Sequence, residues 1–114
     1  KFDGVEQKFN IISVDIVPET DPITNISYED IYITAAMSGD ASKTFELRSE
    51  YNTTGDIIWG LYYIDEGTYY ENDSQTSNVT ENSNGKYKGT FSGSLSSEGG
   101  GTMMITEGSF DIIY

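Results

Sequence analysis

Tyr87-Lys88-Gly89-Thr90-Phe91-Ser92-Gly93-Ser94-Leu95 decides the fold. Tyr87, Phe91 and Leu95 fall on one side of an extended chain with Gly89 and Gly93 between them, while Lys88, Thr90, Ser92 and Ser94 take the other. Successive side chains of a strand point to opposite faces, so this period of two predicts an antiparallel strand with one buried face and one wet face. The same alternation recurs toward the N-terminus. Phe45, Leu47 and Tyr51 alternate with Glu46, Arg48 and Glu50, and Ile31, Ile33, Ala35 and Met37 share a face up to the turn signal Ser38-Gly39-Asp40. Ile12, Val14 and Ile16 alternate with Ser13 and Asp15. Pro18 and Pro22 are expected to end that strand, because proline has no N–H to give to a ladder, and Thr24 to Ser27 reads as a loop.

The run from Ile57 to Ile64 is apolar on both faces, which predicts a central strand covered on each side, or one whose second face meets a partner. Near the C-terminus Met103 and Ile105 have odd parity but Phe110, Ile112 and Tyr114 have even parity, so one residue must be inserted between them. Glu107-Gly108 is the expected bulge, glycine being free to take positive φ. Asn72 to Gly85, rich in Asn, Ser and Thr, reads as a long exposed loop, and Ser96 to Gly101 as a hairpin connection. Six to eight antiparallel strands in a β-sandwich or flattened barrel are therefore expected, with no helix longer than a turn or two. The expected core is Phe45, Leu47, Trp59, Leu61, Phe91, Leu95, Ile105, Phe110 and Ile112.

A chain of 114 residues suits one domain, 1–114, because two cores of half this size would each be marginal. Nine Tyr, five Phe and one Trp supply enough apolar surface to close a core without a disulfide or a structural metal. The formal net charge of −13 opposes binding to nucleic acid or to an anionic lipid face. There is no cysteine, which removes thiol chemistry but leaves the redox compartment open, and no histidine, which removes Ser-His triads and the commonest zinc ligand. No apolar run approaches the roughly 20 residues of a membrane-spanning helix. The abrupt start at Lys1-Phe2-Asp3-Gly4 is expected of a processed chain.

Phe2-Asp3-Gly4, Gly67-Thr68-Tyr69, Lys88-Gly89-Thr90-Phe91-Ser92-Gly93 and Ile105-Thr106-Glu107-Gly108-Ser109-Phe110 together carry a likeness that covers nearly the whole chain. The pattern resembles small all-β domains of unknown function found in cell-surface lipoproteins of the Bacteroidota. The resemblance implies export and a lipid anchor upstream of Lys1, outside this chain, and it carries no assigned catalytic or binding residues.

Five aromatic residues, Trp59, Tyr62, Tyr63, Tyr69 and Tyr70, are the candidate ligand-binding set, as a platform of amphipathic rings for sugars. The competing reading is that these rings fill the core and decorate strands, where Tyr is at home. Asp65 and Glu66, with Glu71 nearby, could orient sugar hydroxyls or a basic partner. Asp65, Glu66, Glu71 and Asp73 lack calcium-loop spacing and read as solvated charge, so no metal and no cofactor is expected. No carboxylate pair is singled out for glycosidase chemistry, and no catalytic residue is assigned. Asn-x-Ser/Thr sequons at Asn25, Asn52, Asn72 and Asn78 are expected to mark exposed loops.

The expectation is a non-catalytic secreted, periplasmic or surface-anchored accessory module whose partner is a glycan or a protein. Two alternatives stand beside it: a structural subunit assembling through strand edges, and a small-molecule carrier with a barrel cavity.

Overall fold

The computed structural model describes residues 1–114 and contains seven strands and no helix. They are β1 (Phe9–Thr20), β2 (Ser27–Met37), β3 (Asp40–Glu50), β4 (Ile58–Asp65), β5 (Thr68–Ser83), β6 (Lys86–Ser96) and β7 (Thr102–Ile113). Each pairs antiparallel with its chain neighbours, giving one seven-stranded sheet in the order β1 to β7. The strands form a single curled half-barrel rather than the two packed layers of a sandwich. The topology follows from the turns. Ser38-Gly39, Glu66-Gly67 and Asn84-Gly85 each join neighbouring strands within two residues, and positive φ at Glu66 (+50°) with Gly67 (+92°) and at Asn84 (+53°) with Gly85 (+77°) matches the twist of a tight hairpin.

The inner face carries the alternating apolar set. Ile31 and Ile33 of β2, Leu47 of β3, Leu61 of β4, Leu95 of β6 and Ile105 of β7 are buried together. Tyr87 stacks on Phe110 across β6 and β7 at 4.5 Å between centroids. Phe91 and Phe110, expected in the core, are only partly buried and pack against it. One end of the barrel is stopped by Phe2, whose ring lies 5.3 Å from Phe9, 5.1 Å from Tyr63 and 5.8 Å from Phe45. That ring is held by strand-like pairing of the N-terminal segment with β7: Asp3 N–H donates to Met104 O at 2.8 Å, and Thr106 N–H donates to Lys1 O at 2.9 Å.

Several sequence expectations are corrected. Pro18 does not end β1. It pairs with Glu29 inside the strand, and an edge strand tolerates proline because its outer side has no ladder to break. Ile12 is 61% exposed, since a bulge between Ile11 and Ser13 takes it out of register with Val14 and Ile16. Trp59 is 39% exposed on the outer face and leaves the core set, because a register shift where Arg48 and Ser49 meet β4 reverses its side.

Most of the tract from Asn72 to Gly85 is strand and not loop. It forms the greater part of β5, so the sequons at Asn72 and Asn78 lie in a strand. The polarity has a structural cause. Beyond Glu71 the backbones of β4 and β5 diverge, their paired register ending at Tyr62 and Glu71. Side chains of β5 take over the missing ladder: Leu61 N–H donates to Asn72 Oδ1 at 3.1 Å, Asn72 Nδ2 donates to Trp59 O at 3.3 Å, and Ile58 N–H donates to Ser77 Oγ at 3.2 Å. Farther along, buried Asn82 donates to the carbonyls of Glu50 and Thr53, both at 2.9 Å. Buried backbone groups need partners, and here amides and hydroxyls supply them.

Candidate functional site

Two surfaces stand out, one on each face of the sheet. On the convex face, register brings together residues distant in sequence. Tyr32 of β2 lies opposite Arg48 of β3, and Arg48 lies opposite Gly60 of β4. Gly60 leaves a gap that the ring of Tyr62 covers so closely that a Cβ there would stand 2.7 Å from Tyr62 Cε2. The Arg48 guanidinium is thereby enclosed between two rings, 4.7 Å from the centroid of Tyr32 and 4.7 Å from that of Tyr62, with Trp59 at 5.9 Å. A cation over ring faces is attracted by their quadrupoles, and the planar guanidinium also stacks.

The cluster extends in both directions. Tyr32 meets Trp59 edge-on at 6.0 Å, and Tyr62 stacks with Tyr69 of β5 at 5.9 Å. Glu46 Oε2 accepts from Arg48 Nη2 at 3.2 Å. Partial burial disfavours the charge on Arg48, but the Glu46 carboxylate outweighs that and holds its pKa above the ordinary value. At the Trp59 end, burial pushes the carboxyl of Asp30 up from its usual range, repulsion from Glu19 adds to the effect, and a hydrogen bond from the Trp59 side chain opposes it. The convex face thus carries four amphipathic rings around one arginine.

Of the residues singled out in the sequence, Trp59, Tyr62 and Tyr69 share this surface. Tyr63 and Tyr70 do not. Tyr63 is 2% exposed and faces inward against Phe2, where burial, more than the neighbouring Asp65, pushes its hydroxyl up to about 12. Tyr70 packs beside it at 6.1 Å. Asp65 has the parity of Tyr63 and lies 3.9 Å from Lys43, and Glu66 occupies the β4–β5 turn, so neither carboxylate is interleaved with the outer rings. Tyr32 and Arg48 are members that sequence reasoning missed. Their only signal was being polar-face residues of alternating strands, and cross-strand register alone shows that they meet.

On the concave side, β1 and β7 do not pair, and the space between them is a cavity of about 730 Å³. Its walls include Phe9, Phe45, Leu47, Phe91, Phe110 and Ile112. Glu6, Lys8, Glu107 and Asp111 stand among its polar lining. No group of three or more acidic side chains in the molecule is placed to hold a metal ion. No protein-family model, curated protein or solved structure matches the chain.

Proposed function

We propose that this chain is a non-catalytic interaction module of an exported or cell-surface protein, and that it binds a glycan through the convex face. The observation that carries this reading is the placement of Tyr32, Trp59, Tyr62 and Tyr69 on one continuous outer surface around Arg48. Rings mounted on strands lose little conformational freedom on binding, so a few of them can carry most of an affinity. Sugar rings present C–H faces that stack on aromatic faces, and their hydroxyls accept hydrogen bonds from a guanidinium. The −13 net charge favours neutral glycans over acidic ones. The likeness to surface lipoprotein domains supports the compartment.

A polysaccharide panel assayed against wild type and a Tyr62→Ala, Tyr69→Ala double variant tests the proposal. Wild type is expected to bind at least one neutral glycan, and the double variant to bind it at least about tenfold more weakly, the size of a modest binding hot spot. If wild type binds no glycan, or the double variant binds as well as wild type, the glycan reading is withdrawn.

A further inference from the structure

We propose that the cleft at the Trp59 end of the convex face binds a linear aliphatic polyamine, a cation whose charges are set apart along an apolar chain. The cleft encloses about 750 Å³. Four carboxylates border it, those of Glu19, Asp30, Glu50 and Asp56, and no lysine or arginine does. Cross-strand register puts them on one side of the sheet. Glu19 of β1 lies opposite Tyr28, and Asp30 of β2, which has the parity of Tyr28 and Tyr32, lies opposite Glu50 of β3. Asp56 joins from the segment leading into β4, where its Oδ1 accepts from Ser77 Oγ at 3.0 Å.

This negative charge is uncompensated. None of the four ion pairs in the molecule includes any of these carboxylates. Arg48, which stands over Tyr32, is outside the lining and is already met by Glu46 at 3.2 Å. Asp30 is the sharpest case: it is 5% exposed, its one side-chain hydrogen bond comes from Trp59, and both Glu19 and Glu50 repel its ionised form. A buried carboxylate is costly unless a cation stands beside it.

The arrangement selects the form of that cation. The four acidic residues are spread from β1 to the start of β4, roughly 14 Å at the ~4.8 Å spacing of neighbouring strands. No three of them are placed to share a metal ion, whereas a compact divalent ion such as calcium needs roughly six oxygens around it. Gln75 apart, the rest of the lining is ring and aliphatic surface, from Tyr28, Tyr32, Trp59, Ile57 and Ile58. Ammonium groups pair with carboxylates and are drawn to ring faces, and the methylenes between them cover the apolar surface. Inorganic ions lack the methylenes, and neutral sugars lack the charge. A basic peptide also carries spaced cations, but the cleft lies on a sheet face, whose main-chain groups are spent in the ladders, so the peptide's own amides would go unmet.

Trp59 is the one tryptophan of the chain, so its emission reports on this cleft alone. The intact chain is titrated with spermidine, with spermidine acetylated at both terminal amines, with capped trilysine and with magnesium chloride. Spermidine is expected to shift the Trp59 emission saturably, and the acetylated form, which keeps the chain but loses its end charges, to bind at least about tenfold more weakly. Asp30→Asn, Glu50→Gln is expected to lose at least about tenfold in spermidine affinity, while Glu98→Gln, Asp111→Asn, which removes the same charge outside the cleft, stays within about twofold of wild type. Unchanged Trp59 emission with spermidine, equal affinity for the acetylated form, equal losses in the two double variants, displacement by an equal concentration of magnesium, or tighter binding of trilysine would overturn the proposal. Neither Tyr62 nor Tyr69 lines the cleft, so the result stands whatever the glycan panel shows.

Discussion

Gly108 illustrates how one residue can be anticipated correctly for the wrong reason. The parity change along β7 requires an inserted residue at Glu107-Gly108, and the register against β6 does shift there. Positive φ, however, belongs to Glu107 at +54°. Gly108 is needed for space: a Cβ would stand 2.7 Å from the Phe91 ring and 2.8 Å from Phe91 O. Gly108→Ala is therefore expected to cost about 1–3 kcal/mol by overpacking, whereas Glu107→Gly, which relaxes the left-handed backbone and gives up only an exposed ion pair, stays within about 0.5 kcal/mol of wild type. Urea denaturation of the two variants checks the order, and a reversed order would return the strain to Gly108. Asp30 gives a second residue-scale expectation. Burial raises its pKa above the unfolded value, so its contribution is favourable while it is protonated and is lost as pH climbs through the folded value. Asp30→Asn keeps an oxygen for Trp59 and removes the ionisation. It is expected to melt higher than wild type at about pH 7, with the gap closing toward pH 3, where the carboxyl is protonated in both states. A gap that widens in acid would contradict the burial argument.

Among the elements, β5 was the least legible and β6 the most. β6 alternates because its inner face packs against Leu61 and the other core residues, and burial writes a period of two into the sequence. β5 buries amides and hydroxyls that bond to backbone, and polar residues on both faces of a strand look like loop. Asn72 is the sharpest case. Asn72→Ala removes the acceptor for Leu61 N–H and the donor for Trp59 O together, and is expected to cost about 1–3 kcal/mol. Hydrogen exchange at Leu61 should quicken by a larger factor than at residues in the β2–β3 ladder; equal protection in wild type and variant would show that the bridge is ornamental. The convex cluster was half legible for a related reason. Trp59, Tyr62 and Tyr69 lie close in sequence, while Tyr32 and Arg48 join them only through register, and Tyr63 separates from them by the simple alternation of sides.

For the whole molecule, the all-β class and six of the seven strands followed from alternation, β5 being the exception, while the choice between a sandwich and a flattened barrel stayed open until the curl of one sheet decided against two layers. Closure depends on twist and on bulges such as those at Ile11/Ser13 and Arg48/Ser49, and these leave only a parity slip in the sequence. Net charge acts at this scale too. With 19 acidic residues against six basic ones, the compact state repels itself, so the melting temperature is expected to rise between about 0.01 M and 0.15 M NaCl as the screening length falls from about 30 Å to about 8 Å. A flat or falling curve would place the acidic groups too far apart to matter. The meander order has a kinetic consequence. Each strand finds its partner in the strand just before it, so the chain can zip up hairpin by hairpin with only short loops to close, and should fold quickly for an all-β domain. Lys1 and Asp3 are the exception, since they wait for Thr106 and Met104 at the far end of the chain. Their contact closes the longest loop in the molecule, so the Phe2 stopper is expected to seat last, after the rest of the sheet has assembled.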